Sequence, residues 1–252
     1  MRKLNDAFSR AVVTIYNPLR EVGCVTAWAL DYDHDSEPRA EILVSASLAR
    51  MPEEDQILIW LGAPDTDIGV VRAAAAPLLD PEEEMAAMRL RDAADQCASL
   101  TAHAGARLML GAAIGLSPSR VRIHRGAYGK PLLDGGILHF SLAHVRGAVA
   151  VALARRPIGI DIERKVVLPD IDAIAAIAFA RESCKALDAV EGDARTEIFY
   201  RFWTLGEAFI KATGLGVFQG LDSFAFTPEG QPGLTRVTPG WGPCERWRFG
   251  LR

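Results

Sequence analysis

The chain has 252 residues, half of them hydrophobic and about a quarter charged, with a formal net charge of −4. That length buries a substantial core, as one large domain or two smaller ones, and the composition is ordinary for a soluble globular protein. The mildly acidic balance gives no overall footprint for nucleic acid, so any anion site must be local. No apolar run reaches the ~20 residues needed to span a bilayer. The N-terminus, Met1-Arg2-Lys3-Leu4-Asn5-Asp6, lacks the apolar stretch of a signal peptide. Cys24, Cys97, Cys184 and Cys244 are scattered without a Cys-x-x-Cys pair. They read as reduced thiols of a cytoplasmic protein, not as a zinc site.

Residues 1–50 carry the weakest pattern. Apolar stretches run from Ala11 to Tyr16 and from Val22 to Leu30, followed by Asp31-Tyr32-Asp33-His34-Asp35. The turn-like composition of that acidic cluster reads as a solvated loop rather than a cation site. Gln56 to Leu61 predicts a buried strand ended by Gly62-Ala63-Pro64. Asp80-Pro81 then opens a helix, Asp as N-cap and Pro at the first position. Helical patterning continues, with a break, to Leu110. Arg120 to His124 predicts a strand, and Ile137–Leu142 with Ala148–Ala154 a strand pair. Arg155-Arg156-Pro157 is a natural junction. We therefore expect an N-terminal α+β subdomain over 1–156 (1–50 being a poorly legible extension) and a C-terminal one over 157–252. The second half should hold a strand at Ile158–Glu163, helices near Ile171–Phe179 and Glu182–Val190, and a long helix over Thr196–Thr213. Strands should follow near Phe224-Ala225-Phe226 and Trp247-Arg248-Phe249.

Two segments carry chemistry. In Pro157-Ile158-Gly159-Ile160-Asp161-Ile162-Glu163 the isoleucines share one face of a strand, and Gly159, Asp161 and Glu163 the other. Adjacent carboxylates repel unless a cation sits between them, and the glycine is expected to leave room for a ligand. In Trp203-Thr204-Leu205-Gly206-Glu207-Ala208-Phe209-Ile210-Lys211, Glu207 and Lys211 lie four residues apart on one helix face. Three carboxylates and a lysine meeting around one hard cation point to Mg²⁺ and a phosphate-bearing substrate, since magnesium takes a few carboxylates, waters and substrate phosphates. The plainer readings are a solvated Asp-x-Glu face and an exposed helix pair contributing about 0.3–0.5 kcal/mol.

Taken together, the two segments resemble the signature of the 4′-phosphopantetheinyl transferase superfamily, in its two-domain form serving peptide and polyketide synthetases. That pattern runs (V/I)-G-(I/V)-D-x-E, some forty residues, then W-(S/T)-x-K-E-A-x-x-K and G-x-G; Gly214-Leu215-Gly216 supplies the last element. Tyr128-Gly129-Lys130-Pro131 resembles the family's Y-G-K-P and Phe140-Ser141-Leu142-Ala143-His144 its F-N-x-S-H. Phe179-Ala180-Arg181-Glu182 and Leu221-Asp222-Ser223-Phe224 also match in order, so the likeness covers about residues 55–230. It implies an α+β fold of two similar subdomains in a pseudo-twofold arrangement, with CoA and metal in the cleft between them. It implies transfer of the 4′-phosphopantetheine arm of CoA to a serine of an acyl or peptidyl carrier protein, releasing 3′,5′-ADP. By position, Asp161, Glu163 and Glu207 would hold Mg²⁺, Glu207 would help deprotonate the serine, and Lys211 would neutralise the leaving phosphate. Lys130, His144 and Arg146, with Arg89 and Arg91, would contact CoA. His144 also suits a partly buried, hydrogen-bonded histidine. His34, His103, His124 and His139 match no functional position. A monomer without nucleic-acid or membrane partners is expected.

The departures from the pattern matter too. Gly206 stands where the family has lysine, removing a cation, so Gly206→Lys is expected to raise the rate or leave it unreduced. Ser141, Ala143 and Val145 replace more polar residues. Glu82-Glu83-Glu84 stands where a basic cluster is usual, with only Arg89 and Arg91 following, so the expectation is a weaker CoA affinity than typical or one met by Arg107, Arg146 and Arg155. The sequence stops at Arg252, shortly after a strand that family members usually follow with another, and a missing final strand would be expected to expose a sheet edge. A non-catalytic relative that binds a carrier protein or CoA is the alternative reading.

Overall fold

A computed structural model describes residues 24–31, 39–43 and 45–252. The apolar stretch at Ala11–Tyr16 and residues 32–35 of the acidic loop lie outside the described residues. The fold is mixed α+β, as expected. In chain order it runs β1 (Cys24–Asp31), β2 (Arg39–Leu43), β3 (Gln56–Gly62), α1 (Ile68–Ala75), α2 (Pro81–Met88) and α3 (Ala93–Ile114). Then come β4 (Ile123–Arg125), β5 (Pro131–Leu133), β6 (His139–Val145), β7 (Ala148–Ala154) and β8 (Ile158–Arg164). The remainder is α4 (Ile171–Ala178), α5 (Arg181–Asp188), α6 (Gly192–Thr213), β9 (Phe224–Phe226), β10 (Leu234–Val237) and β11 (Trp247–Leu251).

One sheet has the order β2-β3-β7-β6, crossed by the 22-residue α3. The other has the order β11-β1-β8, crossed by the 22-residue α6. β1, from the least legible stretch, is antiparallel to β8 on one side and β11 on the other, with Ala27 opposite both Asp161 and Leu251. β11 is the outer strand of its sheet among the described residues.

β7 reads Ala-Val-Ala-Val-Ala-Leu-Ala and is buried throughout. Period-two alternation sends Val149, Val151 and Leu153 towards Ala98, Ala102 and Ala106 of α3. The alanines on its other face meet Ile158, Ile160 and Ile162 of β8, so small residues face large ones where the two sheets meet. Ser141 Oγ on β6 accepts the Ile160 N–H at 3.1 Å, satisfying a backbone donor there. In the second half, Phe209 of α6 stands edge-on to Phe224 and Trp247, with centroids 4.9 and 4.7 Å apart.

Local chemistry explains the helix boundaries. Asp80 caps α2 in a full capping box with Glu83, Pro81 leading the helix. The expected break falls where Asp92 accepts from Ala94 N and starts α3 afresh. Pro118 turns the start of the expected Arg120–His124 strand into a 3₁₀ turn, and pairing begins only at Ile123. α6 starts at Gly192, four residues before the periodicity suggested.

Candidate active site

β8 and α6 build the site between them. Gly159, Asp161 and Glu163 do share the face opposite the isoleucines, but the space at Gly159 belongs to α6. A Cβ there would lie 1.9 Å from the Ala208 carbonyl oxygen and 2.5 Å from the Ala212 nitrogen. The glycine is thus a slot for the helix backbone rather than room for a ligand, correcting the sequence-based expectation. Seated this closely, α6 aims its next stripe, Trp203, Glu207 and Lys211, at the acidic end of β8.

Contacts along that stripe are specific. Lys211 Nζ is 2.6 Å from Asp161 Oδ1, and Asp161 is 5% exposed. Its other oxygen, Oδ2, is buried without a hydrogen-bond partner. Trp203 Nε1 donates to Glu163 Oε1 at 2.9 Å. Burial, and then the charge of Asp161, push Glu163 up to about 7; the Trp203 hydrogen bond and Lys211 oppose the rise. Glu207 is raised by burial and by Asp161. Two carboxylates held above their ordinary range beside a third with an orphaned oxygen form a donor set suited to a hard cation. Among the described residues, though, no three potential ligand groups already surround one point. Lys211 holds one carboxylate and Trp203 another.

Beside them opens a cleft of about 380 Å³, large enough for part of a small-molecule ligand. Glu207 and Lys211 line it from α6, Phe140, Ser141 and Leu142 from β6, and Arg125 and Tyr128 to Pro131 from the β4–β5 hairpin. Lys130 lines it too, but its ammonium donates to Ile158 O at 3.1 Å and Ala212 O at 3.0 Å, tying β8 to the end of α6. Burial holds its pKa down at about 8. His144 on β6 does not line the cleft itself; it is pushed down to about 4, first by burial and then by His103 and Lys211.

The other expected CoA contacts lie elsewhere. Arg146 is exposed and pairs with Asp92 at 2.6 Å, while Arg89 and Arg91 are exposed at and just beyond the end of α2; none of them lines the cleft. Arg107 is buried against Glu83 Oε2 (2.5 Å) and the Pro118 and Val121 carbonyls, and Arg155 donates to Pro52 O. Neither lines the cleft; Arg107 instead neutralises part of the acidic helix start. Glu83 completes a cap and an ion pair, and Glu84 pairs with Arg72 at 2.7 Å. Gly206 turns away from the cleft: a Cβ there would meet Leu221 Cδ2 at 2.5 Å and Phe224 Cε2 at 3.2 Å.

Sequence reasoning passed over His103, whose ring lines the cleft with Nδ1 3.5 Å from Glu83 Oε1, and Arg125. Trp203 packs against the core, stacked on Phe199, and its indole N–H also holds a site carboxylate. The i, i+4, i+8 spacing from Trp203 to Lys211 was the available signal.

Residues 157–250 match the family model of the 4′-phosphopantetheinyl transferase superfamily. The 4′-phosphopantetheinyl transferase psf-1 of Bacillus pumilus is 30% identical over 172 residues, 67% of this chain and 72% of the relative. This chain belongs to the 4′-phosphopantetheinyl transferase superfamily. Two further superfamily members align over shorter stretches. HetI of a Nostoc species is 31% identical over 146 residues, covering 55% of this chain and 61% of the relative. Sfp of Bacillus subtilis is 37% identical over 111 residues, 44% of this chain and 49% of the relative. The aligned stretches thus span from about half to 72% of these superfamily members.

Proposed function

We propose that the chain transfers the 4′-phosphopantetheine arm of CoA to a serine hydroxyl of an acyl or peptidyl carrier protein, with Mg²⁺ held by Asp161, Glu163 and Glu207. The observation that carries the reading is the meeting of β8 and α6: three mutually repelling carboxylates and one lysine beside a cleft, on the superfamily's signature segments. In the reaction the serine oxygen bonds the phosphorus that carries the pantetheine arm. The bond from that phosphorus to the pyrophosphate bridging oxygen breaks, and 3′,5′-ADP leaves. Glu207, its carboxyl held above the ordinary range, accepts the serine proton. Lys211 sets its ammonium against the departing phosphate, and His144 gains a reason to be protonated once a phosphate lies beside it. Trp203 fixes Glu163, and Lys130 keeps α6 seated on β8 so that the acidic face holds its shape. The ion, when bound, supplies positive charge against the pyrophosphate.

Gly206 had favoured a non-catalytic relative, but it packs on Leu221 and Phe224 and leaves the charges of the cleft as they are. Among the described residues no helix is long and apolar enough to cross a membrane; the reading adds a cytoplasmic monomer. The test is intact-mass spectrometry of an apo carrier protein incubated with this protein, CoA and Mg²⁺. A carrier heavier by one phosphopantetheine arm, with the gain abolished by chelation, is the expected result. An unchanged mass across several carriers, from folded protein that binds CoA, overturns it.

A further inference from the structure

We infer that Lys211 is the resident counter-ion of the acidic site, and that it gives up Asp161 to a divalent cation only as a polyphosphate arrives to receive its ammonium. The inference rests on the metal assignment proposed above and adds an order of loading to it. A buried carboxylate that stays ionised needs a compensating charge at all times, not only during the reaction. Lys211 meets that need, its Nζ 2.6 Å from the Oδ1 of nearly inaccessible Asp161. The other lysine lining the cleft, Lys130, already donates to the Ile158 and Ala212 carbonyls. Lys211 is free to leave in a way Asp161 is not. Its side chain keeps 31% of its exposure, it lines the cleft, and a flexible four-carbon stem carries the charge from a fixed helix.

A metal ion entering alone would confine a second cation beside Lys211 or drive the ammonium from its partner into an empty cleft. A metal ion entering with a diphosphate meets neither cost, because the diphosphate oxygens accept the ammonium. Metal and polyphosphate therefore raise each other's affinity, and the coupling passes through this one side chain.

The test measures Mn²⁺ binding to the full chain by electron paramagnetic resonance, with and without CoA, in the wild type and in Lys211→Met. Wild type should bind Mn²⁺ weakly alone and about tenfold or more tightly with CoA, a modest share of what one opposite charge contributes at this range. Lys211→Met should bind Mn²⁺ about tenfold more tightly than wild type without CoA, and gain little from it. Equal Mn²⁺ affinity in the two proteins, or equal gains from CoA, overturns the exchange while leaving the metal site standing. No Mn²⁺ binding by either protein, with or without CoA, overturns the metal assignment itself. Should Lys211→Met fail to fold, reductive methylation of the wild type read by peptide mass decides. Faster labelling of Lys211 when Mn²⁺ and pyrophosphate are added supports the exchange, and unchanged labelling with bound Mn²⁺ refutes it.

Discussion

Replacing Gly159 by alanine adds one methyl group at the closest backbone approach of the site. Its Cβ would lie 1.9 Å from the Ala208 carbonyl oxygen, where ordinary contact begins at 3.4 Å, so α6 must retreat by about 1.5 Å. The obstacle is helix backbone, so no rotamer change relieves it. Strand propensity works the other way, favouring alanine over glycine by roughly 0.5–1 kcal/mol. Overpacking a well-filled contact costs about 1–3 kcal/mol or more, so the clash wins and net destabilisation of about 2 kcal/mol is expected. The same retreat opens the 2.6 Å Lys211–Asp161 contact and carries Glu207 off the β8 carboxylates. A misplacement of about 1 Å near reacting groups lowers rates about 10²-fold. Urea unfolding gives the first quantity, and the initial rate of carrier modification by mass spectrometry gives the second. An alanine variant within about 0.5 kcal/mol of wild type and equally fast would refute the close seating of α6 on β8 as the determinant of the site.

Gly206→Lys, which the sequence alone favoured, should lower stability by about 1–3 kcal/mol despite a helix-propensity gain of about 1, because its Cβ meets Leu221 and Phe224. Chemical denaturation measures it, and a variant more stable than wild type would contradict the packing. Trp203→Phe removes the donor to Glu163 and should slow transfer about 10-fold or more with the circular dichroism spectrum unchanged, since partners that orient metal ligands matter at that scale. A wild-type rate would make Trp203 packing alone. Glu83 is held at about 2 in the folded chain, against 4.5 ordinarily, by His103, the Asp80 backbone N–H and Arg107 in spite of burial. Its folded pKa is depressed, so its stabilisation is complete above pH 4.5 and fades as pH falls towards 2, a loss on the order of 3 kcal/mol. Stability followed from pH 6 to 3 should fall less steeply in Glu83→Gln, which starts lower because buried Arg107 loses its counter-charge; parallel curves would exclude this pair.

Strong periodicity made β3, β7, β8 and α6 legible, each having a face or a full run of residues with one solvent preference. The capped start of α2 was legible from Asp80-Pro81 alone. α1, β5 and β10 carry short or mixed patterns, and tertiary pairing decides them, as with Leu133 and Leu234, buried by partners distant in sequence. Asp161, Glu163, Glu207 and Lys211 were found because strand and helix periods put each pair on one face. What the sequence hid was direction between elements. Arg107 and Gly206 were weighed by charge, yet one is sealed inside the first half and the other turned onto β9. His103 was overlooked because its only cue is facing the cleft across from another chain segment.

The position of β1 has a consequence for biosynthesis. It lies between β8 and β11, and Leu251 pairs with Ala27 about 220 residues earlier in the chain. A strand made near the beginning must therefore wait, both edges unsatisfied, until most of the chain has left the ribosome. Such long-range closure is slow and leaves an open template for wrong pairing in the interval. The acidic site inherits this timing, because Asp161 lies directly opposite Ala27 in the β1–β8 ladder. A fragment beginning after β1 would keep every signature residue and still lack the strand that holds β8 in line.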